Sequence, residues 1–220
     1  GTIDNWRWPV MIDAIRLLDG SDSWTHEDRA ALVTWLTEYS LWLRDSELGP
    51  RAGLMWNNHG TFLDAQRASI ALYAGDTETA KQILERSWHV RIDHGIEADG
   101  RQLYELDRTR SYAYSLFNLR AYYNLAALGR TAGLDLWYQT ADDGSSLLGA
   151  TEYLAPYGDP ANRWPYQDIT FDPARLMPVM RWAYAAYGDD RWLESARSIP
   201  DYEATAARWP THPVDIYHIF

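Results

Sequence analysis

The chain has 220 residues, a formal net charge of −11 and no cysteine, and 46% of its residues are hydrophobic. Such a composition is typical of a folded protein with a sizeable core, and it excludes disulfides, thiolate metal sites and cysteine nucleophiles. The acidic balance argues against nucleic acid or an anionic membrane surface as the main partner. Every basic residue except Lys81 is an arginine, the side chain that binds carboxylates bidentately.

The pattern predicts successive helices joined by short loops, and no alternating strand pattern competes with it. Pro9 fits the first turn of a helix that runs to about Leu18. Thr25-His-Glu-Asp28 resembles a capping box that opens a helix over 26–45. Further helices are predicted over about 60–74, 78–93, 106–128, 144–155, 173–187 and 190–197.

Successive helices with short connections pack antiparallel, so the residues predict an all-α array of helical hairpins. The sequence has no run of about 18 apolar residues, so no transmembrane helix is predicted. The 156–172 loop is too rich in aromatic residues for a passive linker, and residues 1–220 are therefore predicted to form a single domain. Three prolines, Pro200, Pro210 and Pro213, predict a mostly irregular tail. The chain begins Gly-Thr-Ile-Asp, so any export signal is expected to have been removed or never to have been present.

A first polar cluster, Trp56-Asn57-Asn58-His59-Gly60, immediately precedes a predicted helix. Carboxamides and an imidazole donate hydrogen bonds to a carboxylate and help to neutralise it. Asn58 fits the N-cap position equally well, so a structural role is the alternative to substrate binding.

A second cluster spans residues 99–115, DGRQLYELDRTRSYAYS. It predicts a turn followed by a helix that is polar where a core helix would be apolar. Arg110, Tyr114 and Asn118 are spaced by four residues and share one side of that helix, while Arg108 and Tyr112 lie on another. Ordinary arginine–carboxylate pairs on the surface are the alternative.

Together the two clusters supply the groups needed to remove a proton next to a carboxylate. Amide, imidazole and guanidinium groups stabilise the enolate charge that develops, and a phenol shuttles the proton where a nearby cation favours the phenolate. A uronic acid unit of a polysaccharide presents such a proton at C5 and a leaving oxygen at C4. Elimination at that unit breaks the polymer without water.

Both clusters resemble segments of the alginate-lyase-type polysaccharide lyases. Residues 56–66, WNNHGTFLDAQ, are similar to the Asn-Asn-His-Gly-Thr…Asp-x-Gln segment of that family. Residues 99–119 are similar to its Asp-Gly…Glu-Leu-x-Arg-Thr…Tyr-Ser-x-Phe-x-Leu segment. Leu134-Asp-Leu-Trp137 and Trp164-Pro-Tyr-Gln167 also resemble later family positions, so the likeness covers about residues 55–187.

The resemblance implies an incomplete (α/α) toroid with a cleft for an acidic polysaccharide that is cleaved by β-elimination. It implies that Asn58 and His59 neutralise the substrate carboxylate, with His59 also a candidate base. It implies that Tyr114 protonates the leaving oxygen and, in syn elimination, also takes the C5 proton. No cofactor or metal is predicted, since neither a His-Glu-x-x-His pattern nor an aspartate-rich calcium loop occurs.

The active-site arginine has two candidates. Some family members have an arginine seven residues before the tyrosine, where this chain has Asp107. Arg110 keeps the four-residue spacing from Tyr114 and is the predicted catalytic arginine. Arg108 keeps the Glu-Leu-x-Arg context and is predicted either to contribute to the site or to pair with Glu105. The predicted substrate-binding residues are Trp56, Asn57, Gln66, Arg108, Asn118, Trp164, Tyr166 and Gln167, the last three with pinning of their loop as the alternative.

Mannuronate-rich alginate and glucuronan are the expected substrates, and a secreted or periplasmic location follows from a polymeric substrate. The chain is shorter than most members of the family, as a truncated or processed form would be; its oligomeric state is not predicted. One alternative is an inverting glycoside hydrolase on a similar toroid, with two carboxylates roughly 6.5–9.5 Å apart. Its candidates are Asp64, Asp99, Glu105 and Asp107. A second alternative to the lyase is a non-catalytic protein that binds acidic polysaccharides.

Overall fold

The structure, a computed structural model, describes residues 1–208, and within that range the regular secondary structure is helical. A π-helical segment, Trp88–Asp93, directly follows the α-helix that ends at Ser87. The α-helices in chain order are α1 (Trp8–Arg16), α2 (His26–Asp45), α3 (Leu48–Gly53), α4 (Asn58–Tyr73), α5 (Thr77–Ser87), α6 (Leu103–Leu106), α7 (Ser111–Thr131), α8 (Leu147–Leu154), α9 (Met177–Tyr187), α10 (Arg191–Arg197) and α11 (Tyr202–Arg208).

The helices form hairpins around a central helix, α4. Three-residue loops join α4 to α5 and α9 to α10, and the two helices of each pair pack against each other. Helix α4 also contacts α1, α2, α3 and α7, and all of its residues except His59 and Arg67 are buried. The predicted all-α fold is therefore confirmed over the described residues. None of the helices in this part of the chain is both long and apolar enough to cross a membrane.

Two helix starts show how local chemistry fixes the elements. The Thr25 hydroxyl accepts from the N–H of Asp28, and the Asp28 carboxylate accepts from the N–H of Thr25 (both 3.1 Å). This confirms the predicted capping box of α2. Helix α4 begins at Asn58 with Asn57 as its N-cap, whose side-chain oxygen accepts from the N–H of His59 (3.2 Å). The capping residue is thus Asn57 and not Asn58.

The prediction of one helix over 106–128 is wrong at its start. Residues 107–110 lie between α6 and α7, and Arg110 is the residue before α7, with φ −129° and ψ 51°. The first turn of α7 is capped from a distant loop, because the Asp168 carboxylate accepts from the N–H groups of Tyr112 (2.9 Å) and Ala113 (3.2 Å). A carboxylate at a helix N-terminus accepts hydrogen bonds from N–H groups that have no partner within the helix, and its negative charge interacts favourably with the helix dipole.

The predicted irregular tail is also partly wrong. Helix α11 follows Pro200 closely. Pro210 and Pro213 lie outside the described residues.

Candidate active site

A cleft of about 210 Å³ opens beside the start of α7. We call it the arginine cleft; its lining residues are Arg110, Ala113, Tyr114, Leu116, Phe117, Arg120, Arg175 and Pro178. Three guanidinium groups around a phenol give the cleft a positive lining, although the whole chain is acidic. Such a lining can bind a carboxylate bidentately next to the hydroxyl of Tyr114.

The structure brings Arg110 and Tyr114 together in this cleft but not Asn118. The lined face of α7 continues from Tyr114 to Phe117, as the helical spacing i, i+4, i+7 requires. Asn118 lies one residue further round the helix and is 1% exposed. Its amide donates to the side-chain oxygen of Gln102 (3.0 Å), so in this structure Asn118 supports the fold and does not face the cleft.

Arg108 links the two predicted catalytic segments. Its guanidinium carbon lies 4.1 Å from the centre of the Tyr114 ring, a cation–π contact. Burial, and then the charge of Arg108, lower the pKa of His59, which favours a neutral imidazole at pH 7. One turn further along, Phe62 of α4 packs on Phe117 of α7 with ring centres 4.5 Å apart. The structure thus brings His59, Arg108 and Tyr114 into one region.

Asn58 is held by a buried carboxylate. Its backbone N–H donates to Glu105 (2.6 Å), and its amide donates to both Glu105 oxygens (3.0 Å each). The two residues are 1% and 0% exposed. The amide of Asn58 is therefore committed to an internal carboxylate and does not point into solvent, whereas the sequence predicts that it neutralises the substrate. The guanidinium of Arg108 stacks on Tyr114. Its positive charge also lowers the pKa of Glu105, which favours ionisation of that carboxyl group.

We expect Glu105→Ala to lower the free energy of unfolding by about 2 kcal/mol or more, because it leaves buried N–H groups of Asn58 without an acceptor. Glu105→Gln keeps an acceptor and is expected to cost less. Burial raises the pKa of Glu105 from 4.5 to about 7, against the hydrogen bonds of Asn58 and the charge of Arg108.

Because the folded pKa lies above the unfolded one, the contribution of Glu105 to stability is complete below about pH 4.5 and is lost as the pH rises through about 7. Urea denaturation at pH 5 and pH 8 should therefore show the unsubstituted protein losing stability relative to Glu105→Gln at the higher pH. A stability difference that is the same at both pH values would contradict this assignment.

Two further predicted binding residues are buried and hold the fold. The amide of Gln66 donates to the carbonyls of Thr2 (3.1 Å) and Phe62 (3.2 Å). The indole N–H of Trp164 donates to the hydroxyl of Ser111 (2.8 Å). Neither side chain can reach a substrate in this arrangement, which corrects the prediction that they bind it. The indole of Trp164 instead holds its loop against the start of α7, which is the alternative role given for it above.

Tyr166 and Gln167, which follow Trp164 closely in the loop, are neither buried in the core nor placed in the arginine cleft. Tyr166 packs on the Trp164 ring, with centres 5.5 Å apart. The backbone carbonyl of Gln167 accepts from the hydroxyl of Ser111 (2.7 Å) while its side chain stays exposed. Their loop is fastened beside Arg110, but no contact places either side chain in the arginine cleft.

Sequence reasoning missed part of the cleft. Arg175 comes from a short helical turn, Pro173–Leu176, far along the chain, and no local pattern marks it. Arg120 lies over the ring of Trp6 (5.0 Å), which in turn packs on Phe117 (5.3 Å). The i+7 spacing from Arg110 would have pointed to Phe117 in place of Asn118.

Arg91 holds the loop that precedes the first cluster. This buried guanidinium donates to Asp64 (2.7 Å) and to the backbone carbonyls of Met55 (2.7 Å) and Gly53 (2.8 Å). A Cβ at Gly60 would overlap both the Met55 carbonyl and the Arg91 guanidinium, so a glycine is needed there. Arg91 lies in the π-helical segment Trp88–Asp93, a rare conformation that is frequent near functional sites.

The model of the alginate lyase family matches residues 1–164. The chain belongs to the alginate lyase family. The match begins well before residue 55 and includes both polar clusters, Tyr114 and Trp164. Among residues 1–208 of this family member, no group of three or more His, Asp or Glu side chains is arranged to hold a metal ion.

A crystal structure of an alginate lyase from Bacteroides ovatus has the same fold. The two superimpose with a TM-score of 0.79 at 29% sequence identity, and 98% of this chain is covered. The chain spans 56% of that alginate lyase's length. This likeness supports the predicted incomplete (α/α) toroid. No curated protein matches the chain.

Proposed function

We propose that this chain is a polysaccharide lyase that cleaves a uronic-acid polymer by β-elimination, with mannuronate-rich alginate or glucuronan as the substrate. The observation that carries the proposal is the phenol of Tyr114 in a cleft lined by Arg110 and Arg175, with Arg108 stacked on its ring. Family membership and the Bacteroides ovatus structure support the same reaction class. A polymeric substrate favours a secreted or periplasmic protein.

In the proposed reaction the substrate carboxylate binds the guanidinium groups of the arginine cleft. Their charge stabilises the enolate that forms when the C5–H bond breaks, and such electrostatic stabilisation is usually the largest contribution to catalysis. The electron pair of that bond then forms the C4=C5 double bond as the C4–O bond breaks. The leaving oxygen takes a proton, so the products are a new chain end and an unsaturated uronate.

Tyr114 is the proposed proton carrier for both steps. Mannuronate and glucuronate units place H5 and O4 on the same side, so a single phenolate can take the C5 proton and return it to O4 as the phenol. The neutral state favoured for His59 suits a hydrogen-bond donor to the carboxylate, or a base if the phenol acts only as the acid. Arg108, on the Tyr114 ring, adds positive charge beside the reacting atoms.

Two of the four candidate carboxylates of the hydrolase alternative, Asp64 and Glu105, are already engaged inside the protein. Asp64 is buried and paired with Arg91, and Glu105 is buried under Asn58. An inverting hydrolase needs an acid and a base that reach the sugar from opposite faces. Neither of these two carboxyl groups is free to do so.

The direct test is incubation with mannuronate-rich alginate, guluronate-rich alginate and glucuronan while ultraviolet absorbance of the C4=C5 product is followed. A rise with at least one polyuronate, and none with a neutral polysaccharide, is expected. A saturated reducing-end product would instead indicate hydrolysis. Absence of cleavage on every polyuronate would refute the proposal.

A further inference from the structure

Three aromatic side chains form an exposed surface near the candidate site; we call Trp56, His94 and Tyr104 the aromatic platform. The ring centres of Trp56 and His94 are 4.2 Å apart, and the planes of Trp56 and Tyr104 lie within 21° of each other at 6.0 Å. The Tyr104 hydroxyl is hydrogen-bonded to Nε2 of His94 (3.2 Å). Trp56 and Tyr104 are nevertheless 43% and 40% exposed.

The aromatic platform is fixed to the candidate site from both of its sides. Trp56 lies two residues before Asn58, and Tyr104 immediately precedes Glu105. The hydrogen bonds between Asn58 and Glu105 therefore join the two segments that carry these rings. Three residues of chain span at most about 11 Å, so the backbone of Trp56 lies within that distance of His59.

The size and rigidity of the aromatic platform indicate the kind of ligand. A stable protein interface buries about 800 Å² on each partner, more than three side chains offer. A pyranose ring has one face of C–H groups that stacks on an aromatic ring, while its hydroxyls can reach polar edges such as those of Tyr104 and His94. Because the rings already hold one another, little side-chain entropy is lost on binding.

We propose that the aromatic platform binds one sugar unit of the same polysaccharide, away from the bond that is cleaved in the arginine cleft. This inference rests on the proposed function, since it takes the occupant to be a uronate polymer that extends beyond Tyr114. It predicts that the platform contributes to binding of long oligosaccharides and not of short ones.

The test is calorimetry with mannuronate dimer and hexamer, in a Tyr114→Phe background in which cleavage is expected to be slowed by about 100-fold or more. Adding Trp56→Ala is expected to weaken hexamer binding about tenfold, as loss of one stacking contact does, and to leave dimer binding unchanged. Trp56→Phe should retain most of the affinity. The matched control is Trp42→Ala on α2, because Trp42 is equally exposed at 44% and should leave both affinities unchanged.

Equal weakening of dimer and hexamer by Trp56→Ala, or no weakening of either, would overturn the platform. If the Tyr114→Phe parent binds no polyuronate, the proposed function fails first, and the neutral hexamer cellohexaose then tests stacking alone. Cellohexaose binding that is lost in Trp56→Ala would support the platform even then. If the Tyr114→Phe protein binds neither a polyuronate nor cellohexaose, the proposal that the aromatic platform binds a sugar is overturned together with the proposed function.

Discussion

Tyr114→Phe is expected to lower the turnover number on the best polyuronate by about 100-fold or more, the usual scale for loss of an acid–base group. The substitution removes one oxygen and keeps the ring, so the stacking of Arg108 (4.1 Å) is preserved. The Michaelis constant should change little, because the arginine cleft still binds the carboxylate. Initial rates of ultraviolet absorbance give both constants.

The matched control is Tyr184→Phe on α9, since Tyr184 is exposed and does not line the arginine cleft. Its turnover should equal that of the unsubstituted protein. Turnover near the original value in Tyr114→Phe would mean that another group, with His59 the first candidate, carries the proton.

Arg91→Met is expected to lower the free energy of unfolding by about 3–5 kcal/mol, because it leaves the buried carboxylate of Asp64 without its hydrogen-bonded, buried partner. Arg91 is 1% exposed, and its three guanidinium nitrogens donate to Asp64, Met55 and Gly53. Methionine has a similar length, so loss of packing is limited. Chemical denaturation at pH 7 measures the difference.

Arg86→Met is the control, because the guanidinium of Arg86 lies 3.6 Å from the same Asp64 carboxylate but is 55% exposed. The exposed guanidinium of Arg86 is solvated and makes the longer contact to Asp64, so its loss is expected to cost about 1 kcal/mol or less, and this variant should remain nearly as stable as the original. Similar losses in the two variants would show that burial is not what makes the Arg91 pair strong. Restored stability in Arg91→Met with Asp64→Leu would support the charge argument independently.

Much of the fold could be predicted from local chemistry. Thr25 and Asp28 fix the start of α2 through a reciprocal pair of hydrogen bonds three residues apart, and such short-range pairs are visible in a sequence. The start of α7 could not be predicted, because its cap, Asp168, belongs to a loop that folds back from a distant part of the chain. Tertiary contacts override local pattern at such positions.

The candidate site was predictable to a similar extent. Arg110 and Tyr114 are four residues apart and both line the arginine cleft, as predicted, although Arg110 is the residue before α7 and not part of it. The clusters containing Asn58 and Glu105 were each visible, but their mutual hydrogen bonds depend on how α4 and α6 pack. Residue type predicts which groups can bind a carboxylate; it does not tell whether that carboxylate belongs to the substrate or to the protein itself.

The contrast between a cleft lined by Arg110 and Arg175 and a net charge of −11 affects how a polyanion approaches. At low ionic strength the overall repulsion should slow the encounter. Near 0.1 M salt the Debye length falls to about 10 Å, which screens that repulsion yet spares contacts at hydrogen-bond distance. Cleavage should therefore accelerate with the first additions of salt and slow only at higher concentrations, opposite to the steady decline shown by basic proteins on polyanions.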